Sequence, residues 1–210
     1  MERKTGITKF DCYIDGKWTA SSSGEYFDSC DPFLGQKWAE IPKCTVTDVD
    51  TAVGAAKRAL NDGEWAEMHP SMRGQLMHRL ADLITRDADQ LAATEVQDNG
   101  KLFAEMRAQV GYIPQWLYYF GGLADKIEGA VLPIDKTDMF TYTRHEPVGV
   151  VAAITPWNSP LLLTMWKLAP ALAAGCTLVL KPSEFTSAST LALARLIDEA
   201  GFPAGGVNVV

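Results

Sequence analysis

Val148-Gly149-Val150-Val151-Ala152-Ala153-Ile154 is a near-continuous apolar run, followed by Thr155-Pro156-Trp157-Asn158-Ser159-Pro160. A strand with one wet face alternates polar and apolar residues. This run does not alternate, so it predicts a strand buried on both faces, as in a parallel sheet. Glu146-Pro147 marks its start, because proline restricts the residue before it. Thr155 to Ser159 reads as a loop, with Ser159 as the cap and Pro160 as the first residue of a helix. That helix is expected to stop at Gly175, and Thr177 to Leu180 is a second apolar strand. A loop over Lys181 to Thr186 leads to a helix from about Ser187 to Ala200, which Gly201 stops. Val207 to Val210 begins a third strand. The pattern is β-α-β-α-β, for which parallel strands with right-handed crossovers are expected. Ligands on such sheets bind beyond the C-terminal ends of the strands. That rule selects two loops, Thr155-Pro156-Trp157-Asn158 and Lys181-Pro182-Ser183-Glu184.

Upstream the pattern is different. Tyr13 to Trp18 reads as a hairpin around Asp15-Gly16, since both central residues of a type I′ turn need positive φ. Ser21 to Gly24 and Asp31-Pro32 with Gly35 are further turns. From Thr45 the period is helical. Thr45 and Asp48 stand at capping-box spacing, and Val46, Val49, Val53, Ala56 and Leu60 form an expected buried stripe. Pro70 opens a helix with Met72, Leu76, Leu80, Leu83 and Ile84 as its apolar stripe. Another helix runs from about Asp87 to Asp98, and a longer one over 102–126 contains Pro114 as a kink or break. Val131 to Ile134 and Phe140 to His145 read as strands.

Composition limits the partners. Of the 210 residues 47% are hydrophobic and 21% charged, enough for a sizeable core. The formal net charge is −7, so the basic face of a nucleic-acid binder is missing, as is the attraction to an anionic membrane. Residues 160–180 have the length and apolar character of a membrane span. Lys167 near the middle and Pro170 beyond it argue instead for a buried helix followed by a buried strand. Cys12, Cys30, Cys44 and Cys176 form no CxxC pair, so neither a metal knuckle nor a thioredoxin-type redox pair is expected. Met1 to Phe10 has no apolar stretch of a secretory signal, and the expectation is a cytoplasmic, reducing location.

No GxGxxG follows any strand, and Walker A, GxSxG and HExxH patterns are missing, so the chemistry must come from the two loops. Asn158 offers an amide donor beside a helix N-terminus, suited to a developing oxyanion. Lys181 and Glu184 offer a donor and an acceptor that could hold vicinal hydroxyls. By spacing alone Asn158 also reads as a turn residue satisfying its own loop, and the Lys181–Glu184 pair as solvated charges. Cys176, between a helix stop and a buried strand, reads as a small core residue. His69, His78 and His145 have no visible partner for catalysis or metal binding.

Five stretches taken in order carry a resemblance. They are Glu146 to Val150, Ile154 to Pro160, Trp166-Lys167-Leu168-Ala169-Pro170 through Gly175, Lys181-Pro182-Ser183-Glu184, and Glu199-Ala200-Gly201-Phe202-Pro203. Together with Tyr13 to Trp18 and Gly122 to Lys126, they resemble the NAD(P)-dependent aldehyde dehydrogenase superfamily over nearly the whole chain. The resemblance implies an α/β fold with an incomplete Rossmann-like parallel sheet, an N-terminal helical segment and protruding β-hairpin strands. It divides the chain into a hairpin and turn region (1–45), a helical segment (46–126), strands at a subunit interface (127–147) and a βαβαβ unit (148–210). The N-terminal hairpin is expected to reach toward another subunit as well.

The same resemblance implies roles. Asn158 would serve the oxyanion hole, and Lys167 would be associated with proton transfer. Ile154, Thr155, Pro156 and Trp157 would lie along the cofactor, with Lys181, Ser183 and Glu184 at the adenosine ribose. The acidic Glu184 favours NAD, with NADP possible, since a 2′-phosphate would meet a like charge. Ser159, Leu163 and Trp166 share a helix face and, with Tyr112 and Trp116, would line a substrate tunnel. The position after Asn158 is often aromatic in the superfamily and is serine here. The implied reaction is oxidation of a small-molecule aldehyde in a homodimer or homotetramer, without a metal. Its cysteine nucleophile, general base and catalytic domain would lie beyond Val210. Two other readings stand beside it: a truncated, non-catalytic chain that binds nucleotide or assembles with other subunits, and an acyl-phosphate or acyl-CoA reductase of the same superfamily.

Overall fold

The computed structural model describes residues 6–210; Met1 to Thr5, half of the polar opening stretch, lie outside the described residues. The chain opens with β1 (Thr8–Lys9), a hairpin of β2 (Cys12–Ile14) and β3 (Lys17–Thr19), and a second hairpin of β4 (Tyr26–Asp31) and β5 (Gln36–Pro42). Helices come next: α1 (Val46–Asp62), the single turn α2 (Glu64–Glu67), α3 (Pro70–Arg86), α4 (Ala88–Asn99) and α5 (Phe103–Leu123). A ribbon of β6 (Val131–Leu132) and β7 (Thr141–Tyr142) leads into β8 (Val150–Ile154), α6 (Pro160–Ala173), β9 (Thr177–Lys181), α7 (Ala188–Ala200) and β10 (Val207–Val209).

The predicted βαβαβ unit is present, but the expectation of burial on both faces holds for β9 and not for β8, which is the edge strand with only Ala153 buried and Ala152 and Ile154 exposed. Strands β8, β9 and β10 are parallel, with Val150 to Ile154 opposite Thr177 to Lys181 and Leu178 to Leu180 opposite Val207 to Val209. The five-stranded sheet has the order β3-β2-β10-β9-β8. Side chains alternate across a strand, and β9 buries both sets. Val179 packs with Ala52, Ala55 and Ala56 of α1, whereas Leu178 and Leu180 join the larger core with α6 and α7. The apolar stretch 160–180 is thus a buried helix and a buried strand. Among the described residues no helix is long and apolar enough to cross a membrane.

The hairpin at Asp15-Gly16 has positive φ at both residues, 54° and 70°, as its turn type requires. Within the chain it joins the sheet: β2 pairs antiparallel with β10, with Tyr13 opposite Val209, and β3 is left as the outer, exposed strand. The Tyr13 hydroxyl donates to Asp198 Oδ1 at 2.9 Å, and Asn208 Oδ1 accepts the Asp15 amide at 2.9 Å. An apolar edge next to β10 needs a partner for its backbone groups, and the hairpin is the strand pair at hand. The β6–β7 ribbon does protrude, but is only two residues wide on each side, and Val131, Phe140 and Tyr142 are exposed.

Two helical expectations need correction. The buried face of α1 consists of Ala52, Ala55, Ala56 and Ala59, while Val46 and Val49 are exposed. The small alanines let the helix lie close on the sheet, a choice hydrophobicity alone does not reveal. Met72 is likewise exposed in α3, whose buried face is Gly74, Met77, Leu80, Ala81 and Ile84. Pro114 neither breaks α5 nor ends it. Strands β4 and β5 and the turn α2 carry no clear sequence signal. Trp65 of α2 is buried, and its Nε1 donates to the Gly175 carbonyl at 2.9 Å.

Two features of the helical layer support the loops at the strand ends. Helices α3 and α5 touch at Gly74 and Gly121, where a Cβ on Gly74 would stand 2.5 Å from the Gly121 carbonyl oxygen. Near the start of α6, Glu95 is buried, and its Oε1 has no hydrogen-bond partner. Burial raises Glu95 to about 8, opposed by the charge of Lys101 and assisted by that of Asp98.

Gly74→Ala is expected to destabilise the protein by about 1–3 kcal/mol through overpacking, measured by denaturant unfolding; unchanged stability would show that α3 and α5 can separate freely. Glu95 binds its proton more tightly folded than unfolded. Its contribution is therefore fully present below the unfolded pKa and is lost as pH rises toward about 8. Glu95→Gln cannot ionise, so its stability relative to wild type is expected to grow by about 2–4 kcal/mol between pH 5 and pH 8. A gap independent of pH would show that Glu95 titrates normally.

Candidate active site

The site starts from strand register. Ile154, last in β8, pairs with Lys181, last in β9. The loops after these two strands therefore leave the sheet side by side. The Thr155 amide continues the ladder to the Lys181 carbonyl at 3.1 Å, and Thr186 Oγ1 donates to the Trp157 carbonyl at 3.0 Å. Those two bonds join the loops that the sequence selects separately.

In the first loop Ile154, Pro156, Trp157 and Asn158 are exposed, and Thr155 is buried. Thr155 Oγ1 is buried without a hydrogen-bond partner. The Asn158 side-chain amide has no partner among the described residues and stands just ahead of the α6 N-terminus. Ser159 is drawn inward. Its Oγ donates to the Asn158 carbonyl at 2.7 Å and lies 3.4 Å from Lys101 Nζ. It is 6% exposed and so does not share an open face with Trp166, which is 47% exposed. The helical spacing of Ser159, Leu163 and Trp166 is real, but the first of them faces α4 and the residues after it. Leu163 and Lys167 are half-buried on α6.

In the second loop Lys181 and Glu184 are both more than half exposed, with Nζ 3.8 Å from Oε2. Lys181 Nζ also donates to the Pro182 carbonyl at 3.0 Å. Ser183 is turned into its own loop: its Oγ accepts the Phe185 amide at 3.3 Å, and its carbonyl accepts the Ser187 hydroxyl at 2.8 Å. A pocket of about 260 Å³ opens beside this loop, lined by Lys181, Pro182 and Glu184 together with Cys12, Cys44 and Val210.

The aromatic residues assemble on the outer side of α5 and α6. The ring centroids of Trp116 and Trp166 are 5.7 Å apart, and Tyr112 meets Trp116 edge-on at 6.5 Å. Tyr112, Gln115, Trp116 and Tyr119 line a surface hollow.

Several participants carry no sequence signal. Glu95 and Lys101 both reach the start of α6, and Asp98 bonds Ser29 Oγ at 2.5 Å and the Ala188 amide at 2.9 Å. Burial raises Asp98 to about 7, against both of those hydrogen bonds. A buried acid at helical spacing resembles any solvated helix acid in a sequence; only the packed structure shows that it is under two helix N-termini. Among the described residues no group of three or more His, Cys, Asp or Glu side chains could hold a metal ion. Cys176 is buried, and His145 Nδ1 lies 2.8 Å from the Glu128 carbonyl.

Known proteins share this arrangement. The aldehyde dehydrogenase family model matches residues 18–210. The chain is 49% identical over 204 residues to a (Z)-2-((N-methylformamido)methylene)-5-hydroxybutyrolactone dehydrogenase of Acinetobacter baylyi, covering 97% of this chain and 41% of that protein. An NAD-dependent aldehyde dehydrogenase from Sinorhizobium meliloti superposes with a TM-score of 0.94 at 37% identity, over 97% of this chain and 41% of the other. A betaine aldehyde dehydrogenase from Staphylococcus aureus, in complex with NAD+, gives 0.92 at 40% identity, over 95% and 40%. The chain thus spans about two-fifths of the length of the relatives it matches. On sequence and fold alike, the chain belongs to the aldehyde dehydrogenase family.

Proposed function

We propose that these residues supply the N-terminal portion of the cofactor-binding domain of an enzyme that oxidises an aldehyde to a carboxylic acid with NAD, with NADP possible. The observation that carries this reading is the register of Ile154 with Lys181, which makes the loop bearing an exposed asparagine leave the sheet next to the loop bearing an exposed Lys–Glu pair. The residues fit a dinucleotide. Lys181 and Glu184 present a donor and an acceptor at the strand ends, with Ile154, Pro156 and Trp157 as an exposed wall along the adjoining loop. Thr155 Oγ1, buried and unpaired, has a hydrogen bond still to give. Ser183 acts by holding the loop, since its hydroxyl accepts the Phe185 amide.

NAD supplies the hydride acceptor. Asn158 donates its amide to the oxygen that becomes negative when a cysteine thiolate from beyond Val210 adds to the aldehyde and forms a thiohemiacetal. Lys167 lies along α6 from that amide and is assigned to proton transfer. Tyr112, Trp116 and Trp166 form an apolar approach for the substrate, to which half-buried Leu163 of α6 is also assigned. The aldehyde binds as a small molecule, and the catalytic domain lies outside these residues.

Residues 1–45, 46–126 and 148–210 act as one cofactor-binding unit, and 127–147 as its contact with a second copy in a homodimer or homotetramer. Exposed Val131, Leu132, Phe140 and Tyr142 on the β6–β7 ribbon support that contact. A cytoplasmic location is in keeping with the free state of all four cysteines.

In the complete protein, Asn158→Ala is expected to lower kcat by roughly 10²–10³-fold with little change in KM for NAD, read by NADH formation over an aldehyde panel. A loss under about threefold would leave Asn158 as a loop residue. Glu184→Ser is expected to reduce the preference for NAD over NADP by about tenfold or more, because it removes the charge facing a 2′-phosphate. Unchanged selectivity would overturn the ribose assignment, and wild-type protein without NADH formation would favour a non-catalytic nucleotide-binding chain.

A further inference from the structure

Cys12 lies on β2 and Cys44 in the connection from β5 to α1, 32 residues apart in sequence, yet their Sγ atoms are 3.0 Å apart. Two sulfurs that close need only about a further 1 Å of approach to reach bonding distance. The backbone on both sides is fixed. Cys12 pairs with Thr19 across the hairpin, and Thr45, next to Cys44, donates its amide to Asp48 at 2.7 Å to start α1. Cys12 is buried, whereas Cys44 is partly exposed and both line the pocket that contains Lys181. Among the described residues the other two cysteines have no thiol partner: Cys30 is exposed on β4 and Cys176 is buried before β9.

We propose that Cys12 and Cys44 are a redox-active dithiol, which a hydroperoxide reaching the pocket converts to an intramolecular disulfide. The two sulfurs are chemically unequal. Cys44 is held below the usual thiol range, chiefly because it accepts the Cys12 hydrogen bond, with the charge of Lys181 acting the same way against burial and Asp48. Cys12 is pushed up by donating that bond, by burial, and by repulsion from Cys44, Asp48 and Asp11. Cys44 is therefore the attacking sulfur. Its thiolate takes the distal oxygen of hydrogen peroxide: an S–O bond forms, the O–O bond breaks, and hydroxide leaves to become water on protonation. Cys12 then attacks Cys44 sulfur, forming the S–S bond as the S–O bond breaks. The departing hydroxide takes the Cys12 proton. Two thiols and one peroxide give one disulfide and two waters, and a thiol reductant reverses the change by exchange. The product ties the hairpin that closes the β10 edge to the start of α1, independently of any role of the pocket in nucleotide binding.

The test is peroxide treatment of the complete protein, followed by non-reducing peptide mapping by mass spectrometry. The expected result is a crosslinked peptide pair containing Cys12 and Cys44, lighter than the two thiols by two hydrogens, migrating as a single chain and lost on treatment with dithiothreitol. With Cys12→Ser, a sulfenic acid is expected to persist on Cys44 and to be trapped by dimedone. With Cys44→Ser, Cys12 is expected to stay unmodified. Oxidation of Cys44 to the sulfinic acid while Cys12 stays a thiol overturns the proposal, as does crosslinking of either residue to Cys30 or to another chain. The wild-type map decides the matter even if a variant fails to fold.

Discussion

The pairing of Ile154 with Lys181 is the constraint on which the rest of this structure depends. Strand β9 is buried on both faces, so a one-residue slip against β8 would turn it inside out. Val179 would then face the bulkier layer of α6 and α7, and Leu178 and Leu180 would face the close alanine surface of α1. With the register set, β8 and β9 end together. Their loops leave on the same side, and the Thr186–Trp157 and Thr155–Lys181 hydrogen bonds hold them there. The loop that carries Asn158 and the loop that carries the Lys181–Glu184 pair thus lie side by side.

A second layer of polar groups supports that arrangement from beneath. Glu95 and Asp98 belong to one helix, α4, and both are buried; Asp98 accepts the Ala188 amide that starts α7. Helix N-termini carry unpaired donors and partial positive charge, so a buried carboxyl is a fitting partner, although burial makes its ionisation costly. The same helix end supplies Lys101, which comes within 3.4 Å of the Ser159 hydroxyl. The loop bearing Asn158 is thus held by residues some sixty positions upstream, while Asn158 itself is exposed.

Much of this is legible in the residues. The apolar runs at 148–154 and 177–180, and the stops at Gly175 and Gly201, correspond to β8, β9 and the ends of α6 and α7. The Asp15-Gly16 turn and the helix starts at Thr45 and Pro70 are also readable, because each rests on local backbone chemistry. The α1 stripe is not, because hydrophobicity favours Val46 and Val49, whereas the contact with the sheet requires the smaller alanines. Spacing alone puts Ser159 on an open helix face. Spacing does not tell which side of a helix its neighbours occupy. Strands β4 and β5 stay hidden because polar residues interrupt them: Asp28 and Ser29 in one, Lys37 and Glu40 in the other.

What the sequence determined by itself was the order of elements and the identity of the two loops, since turn chemistry, capping and burial on both faces are properties of short stretches. What only the tertiary structure decided was which distant groups meet. The hairpin closes the β10 edge, because unpaired strand groups beside an apolar core take the nearest partner. Glu95 lies beneath the loop that carries Asn158, and Cys44 comes into contact with Cys12, only because the packing of α1 and α4 against the sheet and α6 leaves those side chains one place to go.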